Sequence, residues 1–281
     1  MGRNQSQQRT VQQSQSSQKK SSKHSYTTYL DIAIAIGVFL GLWQLVFNLK
    51  VYPSFLLPSP SMAFGRLLTL AEDGALGLAM GATLGRLVAG FAVSVILGTS
   101  VGLLMANFCR FGKTMSSFCL GLQSFPSIAW VPFAILIIGL NNYGLLFVMV
   151  ISSVFSMMIS TYNSVRNIPP IYLKVAKNMG VRRFSLLRSV MLPASMPQMV
   201  TALRQTWSFS WHALIGAEML FGISVGLGEL LYYGSEFAEM NQVIATMVVI
   251  FVIGFVADRL VFQRLEDSVR SKRGLMSQFT N

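Results

Sequence analysis

Apolar residues fall into long runs separated by short polar stretches, near 30–48, 79–106, 116–140, 143–163, 196–221 and 241–262. A helix needs about 20 such residues to cross a hydrocarbon core of roughly 30 Å. The pattern therefore predicts six spanning helices and an all-α integral membrane fold. A transmembrane barrel would show alternating segments of about 10 residues, and these runs do not alternate. The second run carries Gly77, Gly81, Gly85, Gly90, Gly98 and Gly102, and small residues at four-residue spacing let a neighbouring helix approach closely. This marks it as a central helix. The third run is interrupted by SFPSIAWVPF, where Pro126 and Pro132 each remove a backbone donor. Carbonyls freed at membrane depth need a partner or a wet cavity, so the break, with Trp130, either lines a solute path or is a packing kink. Between the first two runs, FLLPSPSMAFGRLLTLAEDG is too short and too charged to span. With Ser59 or Ser61 as cap and Leu67, Leu68 and Leu70 on one face, it reads as a short helix at the outer surface.

Composition agrees with a membrane protein: 53% hydrophobic, 11% charged and a mean hydropathy of +0.55 lie outside the range of soluble domains. The net charge of +12 would suit a nucleic-acid binder, but its placement marks topology instead. Residues 1–29 hold Arg3, Arg9, Lys19, Lys20 and Lys23 without an acid, 107–114 holds Arg110 and Lys113, and 172–197 holds Lys174, Lys177, Arg182, Arg183 and Arg188. The intervening stretches are neutral or acidic, with Glu72 and Asp73 in one and Glu229, Glu236 and Glu239 in the other. The positive-inside rule puts both termini and the 172–197 stretch in the cytoplasm. The expected organisation is a disordered basic tail over 1–29, a membrane domain over 30–262 and a cytoplasmic tail over 263–281. The polar lead is too long for a signal peptide. Cys109 and Cys119 fall near the cytoplasmic side, where thiols stay free, and their spacing suggests no metal site.

FGKT at 111–114 resembles the end of a phosphate-binding loop, but the motif needs a glycine where Asn107 stands and a preceding strand. It reads as a short basic turn, so the chain supplies no ATP site of its own. His24 lies in the tail and His212 is the other histidine of the chain, which leaves no catalytic cluster and disfavours a membrane-embedded enzyme. Ionisable groups inside spans are costly and usually paired. Arg86 and Glu218 lie at similar depth on helices of opposite direction, so they pair with each other, or Arg86 contacts an anion directly. Arg204 lies near the cytoplasmic end, where snorkelling accounts for it. Trp207, Trp211 and His212, with Trp130, either line the path or pack as aromatics.

One stretch carries more. In YLKVAKNMGVRRFSLLRSVMLPASMP, Lys174, Val175, Ala176, Gly180, Val190, Leu192 and Pro193 stand at the spacing of a signature loop. The stretch resembles the cytoplasmic loop of permease subunits of ATP-binding-cassette importers, Glu-Ala-Ala, three residues, Gly, nine residues, Ile, one residue, Leu-Pro. Lys174 departs from the usual Glu. FLLPSP at 55–60, FPSIAWVPF at 125–133 and LRQTWSFSWHALIGAEML at 203–220 are similar to the branch that imports nitrate, bicarbonate, taurine and alkanesulfonates. The resemblance implies a type I importer permease fold, a five-helix core preceded by one peripheral helix, in the bacterial inner membrane. It implies a coupling helix within 164–195 that docks on a cytoplasmic ATPase, with Pro193 stopping one helix before the next. It also implies two ATPase subunits that bind ATP and magnesium, an external solute-binding protein and a second permease copy. A stand-alone channel or ion-coupled carrier is the rival, and it would need a filter or an acidic relay.

The charge pattern generates a direct test. A reporter active only outside the cytoplasm, fused after Asn281, should give no signal, and a strong signal would overturn the assignment of sides.

Overall fold

The computed structural model describes residues 34–181, 183–222 and 225–271. The tail at 1–29 with His24, and 272–281, lie outside them. The chain divides into two units, 1–64 and 65–281.

In the first unit, α1 (Ile34–Asn48) is apolar but only 15 residues long in its described part. Its Trp43 Nε1 donates to the Pro58 carbonyl at 2.9 Å, which folds the following segment back along the helix. Ser59 then caps α2 (Pro60–Glu72), its Oγ accepting from the Met62 N–H at 3.3 Å. Pro60 takes the first helical position, where a missing N–H costs nothing. Of the three leucines expected on one face of α2, Leu70 is buried, Leu67 half-buried and Leu68 exposed.

The second unit is built on α3 (Ala75–Asn107), α6 (Asn142–Arg166) and α9 (Leu192–Phe221). Its described residues are helices and their connections, with no strand among them. Helices α3 and α6 each have the length and apolarity to cross a membrane, as does the rod Met240–Ser271, made of α11 (Met240–Ala257), a π turn (Asp258–Gln263) and α12 (Arg264–Ser271). The segment expected to be a tail from 263 is thus helical as far as Ser271. A fourth span is possible if α4 (Cys109–Gln123) and the helix beyond its 93° bend are counted together. The expectation of six rests on two further runs. One contains α1; the other lies in the 30-residue α9, whose Arg204, His212 and Glu218 lower its hydropathy.

The bend corrects the reading of the third run. A 3-10 turn (Ser127–Trp130) leads into α5 (Val131–Ile137), with Pro126 just before the turn and Pro132 in the first turn of α5. A first-turn N–H has no intrahelical partner in any case, so these prolines orphan no interior carbonyl.

Burial also reassigns the centre. In α6, 56% of the apolar window is buried, against 28% in α3, so α6 is the central helix. The buried positions of α3 run Ala79, Thr83, Leu87, Gly90, Ser94, Gly98, Gly102 and Met105, a single stripe of helical period. Of the six glycines, Gly77, Gly81 and Gly85 stand in open space, while Gly90, Gly98 and Gly102 meet α6. A Cβ on Gly102 would lie 2.6 Å from the Thr161 Cβ and 2.7 Å from the Met158 carbonyl oxygen. Gly112, in the FGKT segment, is likewise a packing glycine inside α4, pressed against Met105 and Tyr162. The segment is helix, not a turn. Ser94 and Ser153 hydrogen-bond across the α3–α6 seam at 2.8 Å, and the thiol of Cys119 lies buried 4.0 Å from the Met158 sulfur.

Gly102→Ala should therefore destabilise the unit by about 1–3 kcal/mol through overpacking, while Gly81→Ala should be neutral or gain up to about 1 kcal/mol of helix propensity. Thermal unfolding of both variants in the same lipid nanodiscs measures this; equal effects would contradict the α3–α6 contact.

Candidate functional site

Two polar clusters and one exposed loop hold most of the residues singled out from the sequence. The first cluster is centred on Glu218, whose side chain is 0% exposed near the end of α9. A carboxylate buried in this way is tolerated only when its oxygens are satisfied. Arg86 Nη1 donates to Oε1 at 2.8 Å, Thr83 Oγ1 donates to Oε2 at 2.8 Å, and the Gly228 N–H donates to Oε2 at 3.1 Å. The Thr83 hydroxyl also accepts from the Leu227 N–H at 2.9 Å. Arg86 Nη1 reaches the Val225 carbonyl at 2.7 Å, and its Nε donates to Asn142 Oδ1 at 3.0 Å.

The cluster thus ties α3 and α9 to the start of α10 (Leu227–Glu236) and to the first residue of α6. Gly222 ends α9 in the left-handed region, φ +61, where glycine carries no Cβ penalty. A Cβ on Gly226 would meet the Glu218 carboxylate at 2.6 Å and one on Gly228 the Glu218 Cβ at 2.5 Å, so the approach of this loop to the acid requires glycine at both positions. The charge of Arg86 is matched inside the protein, which argues against the alternative in which it meets an anion directly.

The second cluster corrects the reading of Arg204. It does not snorkel: Nε and Nη2 make a forked pair with Asp258 at 2.5 and 2.6 Å, and Nη1 lies 3.4 Å from Glu266. Glu266 in turn pairs with Arg270 at 2.6 Å. The π turn 258–263 begins at Asp258 and packs on α9, and within it Phe262 is buried against Trp207 and Phe91, with ring centroids 5.5 and 6.4 Å away.

Above this pair, α9 and α11 enclose an open cavity of about 840 Å³. Trp207, Trp211 and His212 line it together with Arg204, Gln205 and Ser208. Trp211 is otherwise buried in the core with Leu87, Met149 and Leu214, so the tryptophans pack as aromatics and also line this cavity. Pro126, Trp130 and Pro132 do not line this cavity. Trp130 packs between Phe125 and Phe133, with centroids 5.5 and 6.0 Å away, and Arg86 and Glu218 are also absent from the lining. Gln205, Ser208 and Asp258 escaped the sequence reading. The signal that could have found the first two is the line Thr201, Gln205, Ser208, His212, at spacings of four, three and four, which places these four polar residues on one side of the helix.

The exposed loop is α7 (Pro170–Asn178), followed by Gly180 at φ +74. The Val181 N–H donates back to the Ala176 carbonyl at 3.1 Å, which is the outer bond of a Schellman cap with glycine at its left-handed position. Ala176 is buried, while Ile171, Tyr172, Val175 and Met179 are exposed, Met179 by 76%. Lys174 is exposed beside them. Ala176 therefore packs against its own chain. Beyond the cap the chain is helical from Arg183 to Phe221, through α8 (Arg183–Leu186), a π turn (Leu187–Met191) that holds Val190, and α9. Leu192 and Pro193 open α9; Pro193 sits in a first turn and does not interrupt the rod.

The family model for the binding-protein-dependent transport system inner membrane component matches residues 94–270, more than half of the chain. The bicarbonate transport system permease protein CmpB of Synechococcus elongatus is 31% identical over 180 residues, 64% of this chain and 65% of that protein. This chain thus spans just under two thirds of the length of the relatives that it matches at 31–32% identity. The nitrate import permease protein NrtB of Synechocystis sp. is 24% identical over 238 residues, 82% of this chain and 85% of that one. Two chains from inward-facing structures of the MetNI methionine ABC transporter share the fold, with TM-scores of 0.54 and 0.56 at 18% and 17% identity. They cover 66% and 69% of this chain and 94% and 97% of their own.

The Glu218 cluster predicts an asymmetric response to mutation. Arg86→Ala alone leaves a buried unmatched carboxylate and should cost about 3–5 kcal/mol. Adding Glu218→Gln should recover much of that loss, since the amide oxygen still accepts from Thr83 or Gly228. Exchanging the two charged residues should not, because an arginine at 218 cannot accept from either donor. Thermal unfolding of the three variants separates these outcomes.

Proposed function

This chain belongs to the family of binding-protein-dependent transport system inner membrane components, and on that premise we propose that it is the permease subunit of an ATP-driven importer of a small anion, working by alternating access. It is a multi-pass inner-membrane protein. In this reading two ATPase subunits bind ATP and magnesium and hydrolyse the nucleotide, an external binding protein delivers the solute, and a second copy of the permease completes the path. The permease has no ATP site of its own, and both termini lie in the cytoplasm. The anion class follows from likeness to relatives named for bicarbonate and nitrate.

The observation that carries the reading is α7. A nine-residue helix that exposes Ile171, Tyr172 and Val175, with Met179 exposed in the turn that follows, on the side marked by basic residues, is a poor surface for water and a good one for a protein cleft. Its position matters as much as its surface. It packs on the π turn 187–191, which continues without a helical break into α9, a rod of 30 residues or about 45 Å at 1.5 Å per residue. A push on α7 therefore reaches Arg204 and the cavity wall through continuous helix. Channels and ion-coupled carriers have no use for such a surface, and Glu218, the buried acid a carrier would relay through, is spent on Arg86, Thr83 and Gly228.

Gly180 supplies the test. Space around it is open, but its φ is +74, and a side chain there costs about 1–2 kcal/mol of local strain that turning α7 relieves. Gly180→Trp should leave the bundle folded while weakening co-purification of the ATPase, or leaving ATP hydrolysis that no longer responds to loaded binding protein. Undiminished stimulation and uptake in reconstituted membranes would refute the coupling role.

A further inference from the structure

The wall of the cavity between α9 and α11 is chemically lopsided. On α11 it is apolar, with Met247, Phe251 and Phe255 exposed. On α9 the exposed residues are Thr201, Gln205, Ser208 and His212, and an exposed polar line on a membrane helix faces water or protein, since lipid would leave its groups unsatisfied. The one cation in the lining, Arg204, is neutralised by Asp258 in the same lining. No fixed positive charge is therefore left on this wall for an anion, and recognition falls to neutral hydrogen-bonding groups. The side chains of Gln205 and Ser208 have no partner among the described residues. His212 is oriented: its Nδ1 lies 2.7 Å from the Ser208 carbonyl oxygen, which can only accept, so Nδ1 carries the proton. In the neutral ring Nε2 then offers a lone pair to the cavity.

We propose that this wall is a selection site for a small oxyanion that carries a hydrogen-bond donor of its own. Gln205 and Ser208 donate to its oxygens, and His212 Nε2 accepts from its O–H or N–H. An anion without a donor, such as nitrate, sets its lone pairs against that of Nε2 and is disfavoured. The inference rests on the permease reading and narrows its cargo from small anions to those that are both donor and acceptor.

The chain has two histidines, so ¹⁵N-histidine labelling of the permease in its complete transporter, held in nanodiscs, gives two imidazoles, and His212→Gln identifies which is which. Sodium hydrogencarbonate and sodium nitrate are then titrated at equal ionic strength and fixed pH. The expected result is a saturable shift of the His212 Nε2 resonance with hydrogencarbonate and none with nitrate. In the Gln205→Leu, Ser208→Ala double variant the midpoint should rise about tenfold or more, the scale of lost hydrogen bonds. A resonance that ignores hydrogencarbonate, moves equally with nitrate, or keeps its midpoint in the double variant overturns the proposal. Binding-protein stimulation of ATP hydrolysis is measured on the same sample. Normal stimulation with a silent His212 would sink this site and leave the permease reading standing.

Discussion

A carboxylate with no exposure to solvent, near the C-terminal end of an apolar helix, is the constraint around which this bundle is arranged. Glu218 carries a charge where the helix dipole of α9 opposes it, and the arrangement compensates from three directions. Arg86 neutralises it from α3, Thr83 adds a hydroxyl one turn earlier on the same helix, and the Gly228 N–H meets it at the start of α10, where the dipole is favourable. Each requirement propagates. Thr83 and Arg86 must share one face of α3, the α9–α10 connection must turn at Gly222 and approach at Gly226 and Gly228, and Arg86 must also engage Asn142. Four helices are thereby held at one depth.

Near its middle α9 is anchored differently. The fork of Arg204 on Asp258 ties it to the end of α11, and both connections pass through π turns, one entering α9 at 187–191 and one leaving α11 at 258–263. Wide turns are where a helix changes register at low cost. Helix α9 is thus held by a buried, many-partnered acid near its C-terminal end and by a half-exposed ion pair near its middle.

The cavity follows from the same division. The buried side of α9 is filled by Val200, Ala202, Thr206, Ala213, Leu214 and Ala217, leaving the polar line from Thr201 to His212 exposed on the other side. The aromatic edges of Trp207 and Trp211 close the floor between these two faces. One helix thus serves as core on one side and as a cavity wall on the other.

Local sums along the chain are enough to establish the class of this protein and its main punctuation. Hydropathy over about 20 residues identifies membrane helices because the cost of an unpaired backbone in lipid depends on composition and length. Gly180 is readable because a left-handed cap needs glycine, and Arg86 and Glu218 are conspicuous because lone charges in apolar runs are expensive. What those sums lack is direction. Three of six glycines on α3 touch nothing, α6 and not α3 is central, and Pro132 begins a helix instead of breaking one, because each depends on which face meets a neighbour. Asp258 was hidden at the end of an apolar run, and only the packing of the 258–263 turn on α9 brings it to Arg204. The cavity is likewise tertiary: Gln205, Ser208 and His212 become a wall only when α11 stands opposite, since a polar line on one helix has no meaning until the packing of the others decides what it faces.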